Sequence, residues 1–136
     1  MVLIVCLDDK NGMSFNGRRQ SRDRFLCDRI LSLVGDSKVY MKPYSAKIFP
    51  ADNAAVCPCE NLASIADSSR FYFAEFDDPE DLLGIADEVI VYRWNRTYPA
   101  DRYFPMEILQ DHWTLVRKND FPGNSHLQIT EEVYRK

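Results

Sequence analysis

The sequence predicts a single α/β domain with a mostly parallel central sheet, short flanking helices and an antiparallel hairpin at its C-terminal edge. Three observations lead there. The chain opens on an unbroken apolar, β-branched run, Val2–Leu7. Strand-like and helix-like segments then alternate as far as Tyr92, which favours a parallel sheet covered by helices. Beyond that point strand patterns follow one another without helical patterns between them, and Pro122-Gly123 marks a turn.

A chain of 136 residues suits one domain and can bury roughly two-thirds of the surface its unfolded form exposes. At 46% hydrophobic and 28% charged it has the composition of a self-sufficient core. No internal repeat, low-complexity tract or linker marks a boundary, so the domain is expected to run over 1–136.

The elements follow in order. Val2–Leu7 lacks polar alternation, as expected of a central strand buried on both faces, with strands starting near Val39 and Val89 as its expected neighbours. A polar loop should run from Asp8 to Gln20. Ser21 is placed to cap a helix whose apolar positions Phe25, Leu26, Ile30, Leu33 and Val34 recur at helical spacing, and Gly35 is placed to end it. Lys38–Met41 reads as a strand, and Pro43 suits the first turn of a helix through Phe49. Ala54–Cys57 reads as a strand, Leu62–Ala66 as a helical turn and Arg70–Ala74 as an aromatic strand. Pro79–Ile85 fits a helix capped by Asp77 or Asp78 with an acidic first turn. Ala86–Tyr92, Trp113–Arg117 and Leu127–Tyr134 complete the strands, the last two joined through Asn119–Ser125.

The net charge of -4 excludes the overall basic field that drives non-specific nucleic-acid binding, so any anion site must be local. No stretch approaches the roughly 20 apolar residues that span a bilayer, and the apolar start has no basic leader. A cytoplasmic protein without a membrane partner is expected. Cys6 and Cys27 sit in apolar segments, where a thiol behaves as a small hydrophobe. Cys57 and Cys59 could point the same way, but with only His112 and His126 to complete a set, no metal site is expected.

Several stretches taken together resemble dihydrofolate reductase. Leu3-Ile4-Val5 to Asp9-Lys10-Asn11-Gly12-Met13 and Asn16-Gly17 resemble that family's first strand and mobile loop; Lys38-Val39-Tyr40-Met41 to Phe49 resembles its second strand and cofactor-binding helix. The last third has a similar cadence: Asp87-Glu88-Val89-Ile90-Val91, Asp101-Arg102-Tyr103-Phe104-Pro105, Trp113-Thr114-Leu115-Val116 and Glu132-Val133-Tyr134. The resemblance implies that fold, and Asp23 as counterpart of the acidic residue that meets the pterin. It also exposes departures. Arg18-Arg19-Gln20-Ser21 stands for the family's Pro-Trp, Lys42-Pro43 for Gly-Arg and Ala74-Glu75 for the Gly-Gly beside the pyrophosphate, although Ser45 keeps a hydroxyl where the family contacts phosphate. No arginine lies between Phe49 and Cys57 to grip a folate tail. Nicotinamide-dependent folate reduction is therefore not expected, and the cofactor, if any, is unknown.

Other chemistry must come from local clusters. Arg18, Arg19, Arg22 and Arg24 crowd a helix start with Asp23, where a phosphate is favoured; the plainer reading is a solvated face. Arg93-Trp94-Asn95-Arg96 follows a strand, so Trp94 could stack on a base while Arg93 or Arg96 holds phosphate. If the first strand is central, these two arginine groups should converge on one anion cleft. Ser125-His126 sets a hydroxyl beside an imidazole in a turn; adjacent residues seldom aim at one atom, so the pair is not by itself a nucleophile and base, and His126 stands with Asp23 as a catalytic candidate. Three readings follow: a divergent reductase-like protein binding a phosphate-containing or nucleotide-like ligand, an anion- or RNA-binding protein such as a small nuclease, and a partner-binding module without a small-molecule site.

Overall fold

The computed structural model describes residues 1–61 and 70–136, so the helical turn expected at Leu62–Ala66 lies outside the described residues. Ten strands and four helices follow in the order β1 (Val2–Leu7), β2 (Gly12–Phe15), β3 (Arg18–Arg19), α1 (Arg24–Val34), β4 (Val39–Met41), α2 (Pro43–Ala46), β5 (Val56–Pro58), β6 (Phe71–Ala74), α3 (Pro79–Leu83), β7 (Glu88–Arg93), β8 (Arg102–Tyr103), α4 (Met106–His112), β9 (Thr114–Phe121) and β10 (Ile129–Arg135) among the described residues. The main sheet has the order β5-β4-β6-β1-β7-β10-β9. Strands β5, β4, β6, β1 and β7 are parallel; β10 and β9 run antiparallel to their neighbours and form the C-terminal edge.

β1 is central, as its apolar run requires, but its partners are β6 and β7. The strand at Val39 lies one place further out, beyond β6. The aromatic strand inserts there because two-sided burial demands cover on each face and says nothing of which parallel strand lies alongside. Alternation along β1 sends Leu3, Val5 and Leu7 to one core and Ile4 to the other. The first core takes α3 and α4 through Leu82, Leu83, Met106 and Leu109; the second takes α1 through Leu26, Cys27, Ile30 and Val34. Helices thus cover both faces of the sheet.

Three local expectations change. The cap of α1 is Asp23, whose side chain accepts from the Phe25 and Leu26 amides, and Ser21 stands outside the helix. The polar loop 8–20 contains β2 and β3, joined by Asn16 and Gly17 at φ 53° and 71°. Two successive positive φ angles give the mirror-image turn whose twist suits a two-residue hairpin, and Asn-Gly is the pair that tolerates it. With β8 these strands make a small antiparallel sheet. The stretch after Tyr92 also holds a helix, α4, which buries Met106 and Leu109 alone and so shows only one turn of helical spacing. Gly35 ends α1 at φ 59°, its N–H donating to Leu31 O.

One buried carboxylate ties α1 to the sheet. Glu131 on β10 is 0% exposed and accepts from Arg29 Nε at 3.0 Å, Arg29 Nη2 at 2.9 Å and Tyr92 Oη at 2.8 Å. Burial pushes its pKa up, but the Arg29 and Tyr92 hydrogen bonds outweigh that and hold it below the usual glutamate value. A depressed folded pKa adds stability above the unfolded value and loses it as pH falls through the folded one. Glu131→Gln should therefore cost about 1–3 kcal/mol in urea unfolding at pH 7, with a smaller difference from wild type in acid.

Candidate functional site

Asp23 sits on extended backbone, φ −151° and ψ 128°, at the start of α1. Its carboxylate lies against the turn between β9 and β10. Oδ1 accepts from the amides of Phe25 at 2.9 Å, Leu26 at 3.2 Å and Asn124 at 2.9 Å; Oδ2 accepts from the Ser125 amide at 2.8 Å and Ser125 Oγ at 3.2 Å. The same Oδ2 lies 3.0 Å from His126 Nδ1. Burial raises the Asp23 pKa, but the Asn124 amide, His126 and the Ser125 and Leu26 amides outweigh it, holding the carboxyl well below the ordinary aspartate range.

An ionised acceptor at Nδ1 favours an imidazole proton on that nitrogen, and the opposite ring nitrogen is Nε2. Two hydroxyls meet it: Tyr98 Oη at 2.9 Å and Ser21 Oγ at 3.1 Å. The ring itself is held in place. Trp94 stacks on it with centroids 4.5 Å apart and planes 22° from parallel, and His126 is 5% exposed. Gly123 makes the approach of the turn possible. A Cβ there would lie 2.6 Å from His126 O and 2.7 Å from Asp23 Oδ2, closer than any ordinary contact.

A second buried carboxylate places the remaining partners. Asp8 follows β1 and accepts from the amides of Lys10 at 2.9 Å, Gly12 at 2.7 Å and Tyr98 at 3.2 Å and from Gln20 Nε2 at 3.0 Å. It therefore fixes both Tyr98 and the residue before Ser21. Burial raises the Asp8 pKa, and the Gly12, Tyr98 and Lys10 amides more than reverse it.

A cleft of about 690 Å³ opens beside this cluster, lined by Ser21, Arg22, Arg24, Lys47, Asn124 and Ser125 among others. Arg22, Arg24 and Lys47 are exposed, and among the described residues none of them forms an ion pair. Apart from a 3.4 Å contact of Arg24 with Asn124 Oδ1 and the rings of Phe25 and Tyr44, their charged ends face solvent.

Of the residues singled out in the sequence, Asp23 and His126 meet directly although 103 positions apart, and Arg22 joins them through its carbonyl, which accepts from Ser125 Oγ at 2.9 Å. The others are dispersed. Arg19 grips Glu75 through Nε at 3.0 Å and Nη2 at 3.0 Å and lies 4.5 Å from the Tyr44 ring centre. Arg93 is held by Asn11 Oδ1 at 2.7 Å, Asp8 O at 3.3 Å and Glu132 at 3.4 Å. Register separates the pair: Arg93 lies opposite Leu7 and faces the α4 side, whereas Glu75 follows Ala74, the partner of Val5, and faces the α1 side. The expected convergence of the two arginine groups on one cleft is therefore corrected, because each serves a carboxylate on its own face. Arg18 is exposed on the small hairpin, and Arg96 lies 5.9 Å from the Tyr98 ring centre. Ser45 is 1% exposed and Trp94 3%, which leaves neither the surface that contact with a phosphate or a base requires.

Two members of the cluster escape a reading of the sequence. Ser21 passes for the helix cap, and Tyr98 lies in a loop without a pattern. Ser21 and Asp23 are two apart, the spacing that on extended chain aims both side chains one way, and that is the signal they carry.

A dihydrofolate reductase from Enterococcus faecalis, solved with NADP(H) and RAB-propyl, superposes on the chain with a TM-score of 0.69 at 12% identity, covering 98% of this chain and 94% of that one. The fold is dihydrofolate reductase-like. At that identity the likeness concerns the fold alone. No protein-family model and no curated protein sequence matches the chain. No helix among the described residues is long and apolar enough to cross a membrane.

Asp23→Ala removes a helix cap and strands the turn amides, and should cost about 2–4 kcal/mol in chemical unfolding. Asp23→Asn should flatten the acid limb of the stability profile: a depressed carboxyl stabilises above its unfolded pKa of about 3.9, and that gain is lost as pH falls through the folded value. Gly123→Ala should destabilise on a scale similar to Asp23→Ala, although it removes no hydrogen-bonding group, and thermal unfolding would measure it.

Proposed function

We propose that the chain is a reductase-like fold whose present task is to bind a small phosphate-bearing ligand, of nucleotide type, in the cleft beside α1. The observation that carries this reading is the grouping of Arg22, Arg24 and Lys47, three cations without ion-pair partners among the described residues, around a single cleft in a protein of net charge -4. Its volume of about 690 Å³ lies within the range of small-molecule sites. The anion would be held by side chains and not by the helix end, since Asp23 already engages the Phe25 and Leu26 amides.

Reductase chemistry with a nicotinamide dinucleotide does not fit the residues present. Where the resemblance expects Gly-Gly beside the pyrophosphate stands Ala74-Glu75, and Glu75 is 8% exposed and paired with Arg19. Lys42, in place of the expected Gly-Arg, lies 3.4 Å from Asp77. Arg19 and Lys42 are each matched by a carboxylate, which leaves them little net positive charge for a pyrophosphate.

Calorimetric titration with inorganic pyrophosphate and with nucleoside diphosphates tests the reading. Binding should weaken roughly 10-fold on Arg22→Ala or Lys47→Ala, the scale of one charge-assisted hydrogen bond, and weaken further with added salt. Arg93→Ala should leave it unchanged. Low-micromolar NADPH binding that Arg19→Ala abolishes would reverse the assignment.

A further inference from the structure

We infer that Ser21, His126 and Asp23 form a nucleophile, base and orienting carboxylate that cleave carboxylic esters entering the cleft. Ser21 Oγ lies 3.1 Å from His126 Nε2 and His126 Nδ1 lies 3.0 Å from Asp23 Oδ2, both within the reach that marks an activated serine whose base is oriented by a third group. Such triads are recognised by geometry and roles, whatever their chain order or fold. Here the three residues come from the approach to α1 and from the β9–β10 turn.

The surroundings separate this arrangement from a simple structural lock. Fastening the turn to α1 requires the Asp23 carboxylate and the Asn124 and Ser125 amides. It requires neither an imidazole clamped by Trp94 nor a serine hydroxyl on its far nitrogen. Ser21 is partly exposed and borders the cleft, whereas the His126 and Asp23 side chains are buried, so a substrate can reach the nucleophile while the base and its partner stay fixed by their neighbours. Ser125 is adjacent to His126 but is no rival, because its hydroxyl bonds the Arg22 carbonyl and Asp23 and meets the ring only on the Nδ1 side at 3.3 Å.

The step balances without a cofactor. Ser21 Oγ bonds to the ester carbonyl carbon while its proton passes to His126 Nε2; the carbonyl π electrons move to oxygen, in a cleft that Arg22 and Arg24 also line. Collapse of the adduct breaks the bond to the alcohol, which leaves with the proton from Nε2. Water then attacks the acyl-serine, His126 takes its proton and returns it to Ser21 Oγ, and a carboxylic acid departs. The substrate class is an ester with an anionic substituent for Arg22, Arg24 and Lys47, and that substituent rests on the function proposed above.

Tyr98 gives the inference a distinctive consequence. Its hydroxyl, 2.9 Å from Nε2, competes with Ser21 for one lone pair. A purely structural bond would, on removal, leave Ser21 no more reactive.

The test is labelling of the purified protein with diisopropyl fluorophosphate, read by intact mass and peptide mapping, alongside hydrolysis of p-nitrophenyl acetate. One adduct at Ser21 is expected, absent in Ser21→Ala, slowed roughly 100-fold or more in His126→Gln and accelerated several-fold in Tyr98→Phe. Ser21→Ala and Tyr98→Phe alter the rim of the cluster and keep the test decisive if His126→Gln fails to fold. No adduct at Ser21, or equal labelling in wild type and Tyr98→Phe, overturns the inference. Inorganic pyrophosphate distinguishes it from the binding reading: protection of Ser21 supports both, labelling without pyrophosphate binding sinks only the anion site, and pyrophosphate binding without labelling sinks only the nucleophile.

Discussion

The constraint on which the site depends is the Asp23 carboxylate. A helix start leaves amides without internal partners, and a turn at a sheet edge leaves others; one ionised group satisfies both sets here. α1 packs on one face of the sheet through Leu26, Cys27, Ile30 and Val34, whereas the β9–β10 turn belongs to the sheet's edge. Without a common acceptor these pieces would present unpaired amides to each other. With it, they meet along a line that His126 then occupies, and the cleft is the space left beside that meeting. The requirement extends to backbone, since a side chain on Gly123 would collide with the carboxylate it approaches.

Strand register decides where charge is left over. Alternation along β6 and β7 sends Glu75 and Arg93 to opposite faces, and each finds a partner of opposite sign on its own side, Arg19 for Glu75 and Glu132 for Arg93. Both pairs lie at the carboxyl edge of the sheet. Arg22 and Arg24 flank the helix cap and Lys47 ends α2, positions that no register aligns with a carboxylate. A chain of negative net charge thereby keeps a local positive cleft, and it lies off the sheet.

Much of the fold was legible because burial imposes period. The continuous apolar run of β1, the helical spacing of α1, the cap and acidic first turn of α3 and the Pro122-Gly123 turn each carry a local physical signature. What periodicity could not convey was pairing: nothing in Val2–Leu7 distinguishes β6 from β4 as its neighbour. α4 stayed hidden because a helix burying two residues offers one interval and no repeat. At the site, Asp23 and His126 were legible as residue types placed near a helix start and a turn. Their contact, and Ser21 as the hydroxyl involved, depends on separations of 103 and 105 residues that only the folded chain resolves.

The pairing of charges at the sheet's carboxyl edge shifts the free positive charge elsewhere. In open α/β sheets, ligands gather outside the carboxyl ends of the strands, where loops are free to vary without disturbing the core. Here those ends are closed by ion pairs: Arg19 with Glu75 after β6, Arg93 with Glu132 at the end of β7, and Lys42 with Asp77 after β4. Such pairs leave little net field for an anionic cofactor. The cations without ion-pair partners among the described residues and the His126 cluster lie further out, around the cleft beside α1 and the β9–β10 turn. Asp8 fastens Tyr98 and Gln20 from the end of β1, so the rigid centre of the sheet positions the hydroxyls without itself entering the cleft. The core residues therefore set the geometry, and the cluster of Ser21, Asp23, Tyr98 and His126 sits in segments that the sheet positions.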